Sequence, residues 1–147
     1  MNRSDRQASL LPPPMVHAKD AQRMVSMLTR AQEIVAEPAQ WTRGALARSI
    51  LRAGVLPASD LAVSWSASGA LALALVEVVG PAAAQCDRER LFDLGIKSLW
   101  HSLPDDHPRT ASMSRDIDGF NDYPGTDYED IMQLFERALR SARAALP

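Results

Sequence analysis

The stretch Leu61-Ala62-Val63-Ser64-Trp65-Ser66-Ala67-Ser68-Gly69-Ala70-Leu71-Ala72-Leu73-Ala74-Leu75-Val76-Glu77-Val78-Val79-Gly80-Pro81 decides the fold. From Leu61 to Cys86 the one charged residue is Glu77, and a run of that length reaches across a bilayer. Its composition argues otherwise. Ser64, Ser66, Ser68, Gly69, Gly80 and Pro81 interrupt it, many of its apolar members are alanines, and the unbroken strongly apolar part, Ala70 to Val76, is far too short for a span. The spacing instead predicts a helix over Asp60–Val79, with a first turn that can be separate. Trp65, Gly69, Leu73 and Val76 share one face, while Leu71, Leu75, Val78 and Val79 take others. A helix apolar all round must be enclosed by other elements. Gly69 inside it costs about 1 kcal/mol relative to alanine, which close approach of a neighbouring helix or aromatic ring would offset. Gly80-Pro81 closes it.

Helical periodicity continues on both sides. Met24, Met27, Leu28, Ala31, Ile34 and Val35 mark a helix over Ala18–Ala36, ended by Pro38. Leu46, Ile50 and Leu51 suggest a second over Gly44–Ala53, with Gly54 as its stop. Leu91, Leu94, Ile96, Leu99, Trp100 and Leu103 give another over Asp87–Ser102, with Asp87 as N-cap and Pro104 beyond. Residues 105–119 read as a long polar connection. In the last helix Thr126 and Glu129 suggest a capping box, and Ile131, Met132, Phe135, Ala138, Leu139 and Ala142 form its stripe. Asp127, Glu129 and Asp130 at its start and Arg137, Arg140 and Arg143 towards its end suit the helix dipole. The expected architecture is all-α: one compact domain of four to five helices over 18–147, a buried central helix with the last helix packed across it, and a flexible proline-containing tail over 1–17.

Composition agrees. The 147 residues are enough for one domain; 46% are hydrophobic and 23% charged, typical of a globular chain. The formal net charge of −2 offers no overall attraction to nucleic acid or anionic lipid. Cys86 is the single cysteine, which excludes an internal disulfide and a cysteine-built zinc site and fits a reducing cytoplasm. Met1 to Ser9 lacks the apolar core of a signal peptide.

Few residues invite chemistry. In Phe120-Asn121-Asp122-Tyr123-Pro124-Gly125-Thr126, Pro-Gly suits the centre of a type II turn, and Asn121 and Asp122 are turn-fixing residues ahead of the last helix. The functional alternative has Asn121 and Asp122, with Trp65 and His101, around a ligand cleft. His101, Asp105, Asp106 and His107 carry metal-ligand types, but Pro104 keeps them off one helix face, so neither a metal nor a cofactor is expected. Ser66 and Ser68 have no preceding strand of the kind a nucleophile elbow needs. Trp41, Trp65 and Trp100 read as core anchors.

Two blocks then stand out: Asp60-x-Ala62-Val63-x-Trp65-x-x-x-Gly69-Ala70-Leu71, and some fifty residues later Phe120-Asn121-Asp122-x-Pro124-Gly125-Thr126 before an amphipathic helix. Trp41 with Gly44-Ala45 forms a weaker upstream block. Over roughly residues 20–145 the chain resembles a family of small bacterial and phage proteins of unknown function, whose blocks read W-C-x-x-G-A-L and W-N-D-x-P-G-x-T. Ser66 stands where that family usually has cysteine, and Phe120 where it has tryptophan. The resemblance implies a helical fold and carries no activity; were that cysteine catalytic or a metal ligand, this chain would lack the function. The leading functional expectation is a non-catalytic cytoplasmic interaction or regulatory module with a protein partner, of mobile-element origin, with self-association open and no membrane contact. A small enzyme or ligand-binding protein around Asn121 and Asp122 is the rival. A DNA-binding regulator using the C-terminal arginines ranks third.

Overall fold

The computed structural model describes residues 18–147, so the expected tail over 1–17 lies outside the described residues. Five α-helices carry the fold: α1 (Ala18–Ile34), α2 (Ala67–Val79), α3 (Gln85–His101), α4 (Met113–Asp122) and α5 (Tyr128–Ala144). Between α1 and α2 lie a single 3-10 turn, Pro38–Gln40, and three two-residue strands: β1 (Ala47–Arg48), β2 (Gly54–Val55) and β3 (Ser64–Trp65). The chain is predominantly helical and packs as one domain around one core.

Helix α2 is the centre, as its composition requires. It packs against α1, α3 and α4, and Ala70, Leu71 and Ala74 are wholly buried. It starts at Ala67, seven residues later than the periodicity suggests. Ser66 has extended backbone and caps the helix, its Oγ accepting a hydrogen bond from the Gly69 N–H at 3.0 Å. Trp65 therefore sits in strand β3 and not on a helix face. At the other end Gly80, at φ 75°, donates its N–H to the Val76 carbonyl and stops the helix.

The last helix does not cross α2. It lies on α1 and α3, burying Ile131, Leu134, Phe135, Ala138 and Leu139, because the faces of α2 are already taken by α1, α3, α4 and the strands. At the far end of α1, Asp20 is buried and ion-paired with Arg90 of α3, while Arg30 reaches Glu77 of α2 at 2.5 Å across the surface.

Three expectations are corrected. The helix over Gly44–Ala53 is instead a β-hairpin. β1 is the middle strand, with Ala47 opposite Val55 on one side and Trp65 on the other, both antiparallel. The hairpin loop turns through Arg52 at φ 67°, with the Ser49 N–H donating to the Ala53 carbonyl at 2.8 Å; a left-handed residue closing such a loop is a common hairpin solution. Tertiary pairing overrides a weak helical spacing here, and Leu46, Ile50 and Leu51 end up exposed. Second, residues 113–119 of the supposed connection, together with Phe120, Asn121 and Asp122 of the supposed turn, form α4, capped by Ser112. Third, two helix starts differ. α3 begins at Gln85, which places Asp87 in its first turn beside Arg90. α5 is capped by Asp127, in a capping box with Asp130 in place of Thr126 with Glu129.

Gly69 marks the tightest junction. A Cβ there would lie 1.8 Å from the Leu46 carbonyl oxygen, the acceptor of the Ser66 N–H at 3.0 Å. The close neighbour is thus the backbone of Leu46, the residue leading into β1, neither helix nor ring. Backbone cannot swing aside, so Gly69→Ala is expected to cost at least about 3 kcal/mol, at the upper end of overpacking penalties. Gly119, in an open part of α4 where an added Cβ would meet nothing within 4 Å, provides the contrast: Gly119→Ala should stabilise by roughly 0.5–1 kcal/mol. Urea denaturation of both variants checks the pair.

Candidate functional site

The three sequence blocks meet at one buried side chain. Asn121, in the last turn of α4, has no exposed surface. Its Oδ1 accepts from the Trp41 indole N–H at 2.8 Å and from the Ala67 backbone N–H at 3.0 Å. Its Nδ2 donates to the Thr42 carbonyl and to Asp122 Oδ1, each at 3.0 Å. Asp122 Oδ1 also accepts the Gly44 N–H at 2.8 Å, and Gly44 holds φ 76° to present it. Around this junction the Arg43 guanidinium stacks 4.6 Å over the Trp41 ring and donates to the Thr126 carbonyl. The Tyr128 hydroxyl lies 2.7 and 2.6 Å from the carbonyls of Val35 and Ala36. Asn121 and Asp122 therefore fix distant segments and do not simply cap a local turn. The Pro124-Gly125 turn is closed by the Thr126 N–H to the Tyr123 carbonyl at 2.9 Å. Gly125 lacks the positive φ of a type II turn; it is small because the Tyr123 ring would lie 2.4 Å from a Cβ.

Beside the junction is a small cleft of about 170 Å³, lined by Gly44, Ala45, Leu46, Ser66, Asp118 and Asp122. Burial pushes the Asp118 carboxyl above its ordinary range, Ser68 pulls the other way, and the Asp122 charge adds to the rise. Ser66 faces this cleft, but its oxygen serves as the α2 cap.

The remaining sequence candidates lie apart. Trp65 donates its indole N–H to the Pro57 carbonyl at 2.9 Å and pairs through its backbone with Trp41. His101 is exposed at the end of α3, edge-on to Trp100, and lines clefts with Ser141 that neither Asn121 nor Asp122 reaches. Burial, with Lys97 and Arg109 adding to it, holds the His101 imidazole below its ordinary value. Among the described residues no three His, Cys, Asp or Glu side chains gather as a metal site.

A second network holds the loop after α3. Asp116, buried on α4, accepts from Thr110 Oγ1 at 2.6 Å, the Thr110 N–H at 2.8 Å and the Trp100 indole N–H at 2.8 Å. Arg109 lies 5.1 Å over the Trp100 ring and donates to the carbonyls of Trp100, Leu103, Pro104 and His107, tying the loop to the C-terminal end of α3. A cleft of about 510 Å³ opens beside this loop between His107, Phe120, Tyr123, Asp130 and Arg137. Sequence reasoning misses Asp116, Thr110 and Arg109, whose partners lie beyond any local motif; the Ser112 cap followed by Ile117 and Phe120 is the available signal for α4.

These features define a small helical domain with a hairpin inserted ahead of its central helix and polar junctions at both ends of α4. The chain belongs to the family described as Family of unknown function (DUF6197), whose model matches residues 20–141. No curated protein and no solved structure matches it. Among the described residues no helix is long and apolar enough to cross a membrane.

Asn121→Ala should leave the Trp41 indole, the Thr42 carbonyl and the Ala67 N–H buried without partners, at a cost of about 3 kcal/mol, read by urea denaturation. Asp116 supplies a pH test. The Thr110 hydroxyl, with Trp100 and the Thr110 N–H assisting against burial, holds its carboxyl below the ordinary 3.8. Its stabilisation is therefore complete above that value and lost as pH falls through the lower folded value. Asp116→Asn is expected to melt below wild type at neutral pH, and the two curves should converge under acid; melting temperature against pH measures it.

Proposed function

We propose that this chain is a non-catalytic protein-interaction module, a cytoplasmic accessory or regulatory domain that engages its partner through residues 46–63. The observation that carries this reading is where the apolar surface lies. Among the described residues, six of the eight exposed large hydrophobic side chains fall in that segment: Leu46, Ile50, Leu51, Leu56, Leu61 and Val63. Ile50 and Leu51, in the hairpin loop, are 81% and 86% exposed. Aliphatic residues concentrated on one short exposed segment are the usual mark of a docking surface.

The charge around them suggests the partner's chemistry. Arg48 and Arg52 lie within the segment and Arg43 just before it, against the single carboxylate of Asp60, and none of the three is in an ion pair among the described residues. Arg48 braces the hairpin through the Arg43 and Arg52 carbonyls. An apolar recess rimmed with carboxylates is the complementary surface. The rival reading, a ligand site at Asn121 and Asp122, has less support because the Asn121 amide is fully engaged inside the protein.

Ile50→Asp with Leu51→Asp should leave the melting temperature within about 2 °C, since both side chains are already in solvent. The pair should weaken partner binding at least about tenfold, the effect of losing one or two apolar anchors. Quantitative affinity capture of cross-linked complexes, wild type against the pair, is the measurement. Recovery of the same proteins in the same amounts by both would reject the reading.

A further inference from the structure

A second surface stands well apart in the chain from the hairpin. The cleft between α1, α3 and α5 has an apolar floor, Met24, Leu94, Ala142 and Ala145, enclosing about 300 Å³. Its neighbour, about 410 Å³, is polar and carries Asp105, Arg137 and Arg140. His101, Ser102 and Ser141 line both, so the two clefts adjoin and together make a groove with an apolar side and a cationic side. Lys97 stands on the apolar part. We propose that this groove binds an amphipathic anion, a short aliphatic chain ending in a carboxylate or phosphate.

Three observations converge on that ligand class. Lys97, Arg137 and Arg140 form no ion pair among the described residues, and Asp105 is the one carboxylate lining the groove. Arg137 is preorganised: its Nε–H donates to the Ser102 carbonyl at 2.9 Å, so the side chain is held while its terminal nitrogens keep their donors for a bound oxyanion. The apolar end is of the size at which small-molecule sites begin, and no charge other than Lys97 lines it apart from the His101 imidazole when protonated. A free apolar molecule would leave the cations unused, and a small inorganic anion would leave the floor in water; an amphipathic anion satisfies both ends.

The test is a titration of the full chain followed by amide NMR, with octanoate, octyl phosphate, 1-octanol, acetate and inorganic phosphate as separate probes. Octanoate or octyl phosphate should give saturable shifts at Lys97, His101, Arg140 and Ala145, and the tighter of the two assigns the head group. Octanol, acetate and phosphate should bind at least tenfold more weakly. Lys97→Gln with Arg140→Gln, both exposed and free of hydrogen bonds, should weaken the anionic probes at least tenfold and leave octanol unchanged. Ala145→Trp should block the tail, and unchanged melting temperatures for these variants confirm intact folds. Non-saturable shifts, equal binding of octanol, indifference to the double charge removal, or shifts confined to residues 46–63 would each overturn the proposal.

Discussion

The side-chain amide of Asn121 joins three segments that the sequence keeps far apart. One comes from the turn after α1, one from the start of α2, and one from its own α4. A buried amide is a demanding tie: each of its polar atoms must find a partner, and each partner left alone costs about 1–3 kcal/mol. Here every member is satisfied at once, so the amide tolerates one arrangement of the three backbones. That is how a chain that buries little apolar surface between α1 and α2 fixes the path of residues 41–66. Apolar packing alone is non-directional and would hold the helices without setting the hairpin's orientation.

Once that path is fixed, the hairpin need not contribute to the core. Ala47 is its one wholly buried apolar residue, and its own aliphatic side chains stay in solvent. It is held by backbone: strand pairing on both sides of β1, the Leu46 carbonyl against α2, and Asp122 on the Gly44 N–H. A segment anchored through its main chain leaves its side chains free for another molecule. The Gly69 contact belongs to the same design, because only a residue without a Cβ lets the strand lie directly on the helix start. Asp116 and Arg109 repeat the device at the other end of α4, where carbonyls and N–H groups of a loop are gathered by side chains and not by secondary structure.

The helices are legible in the sequence where apolar periodicity is dense. α1 and α5 bury the stripes their spacing marks, and Gly80 ends α2 as expected, but α2 is buried through Gly69, Ala70, Leu71, Ala74 and Leu75 while Val76, on the face its spacing marks, is exposed. α4 is not legible, because only Ile117 and Phe120 are large and apolar on its buried face while Asp116 and Asn121 complete it; polar residues satisfied by remote partners look, in sequence, like solvated loop. The hairpin misleads for the opposite reason. Leu46, Ile50 and Leu51 have helical spacing and no burial, so the periodicity carries no packing information. Asn121 and Asp122 are recognisable as a distinctive pair, but their long-range partners Trp41, Gly44 and Ala67 are not, since nothing in linear spacing links residues separated by the whole of α2 and α3.

Ser66 shows how these two kinds of information meet. At the N-cap of α2 an oxygen acceptor is preferred, and serine is among the best residues for the position. Its Oγ takes the Gly69 N–H, a free donor in the first turn of the helix, where the Leu46 carbonyl crosses. A cysteine there would cap less well but would place a thiol at the positive end of a helix, where thiolates are stabilised. Serine at 66 gives the firmer helix start. With the hydroxyl used as a cap and the adjacent amide of Asn121 fully bonded, the most distinctive residues of the chain serve its shape, and the two surfaces proposed for recognition, the hairpin and the cationic groove, lie outside them.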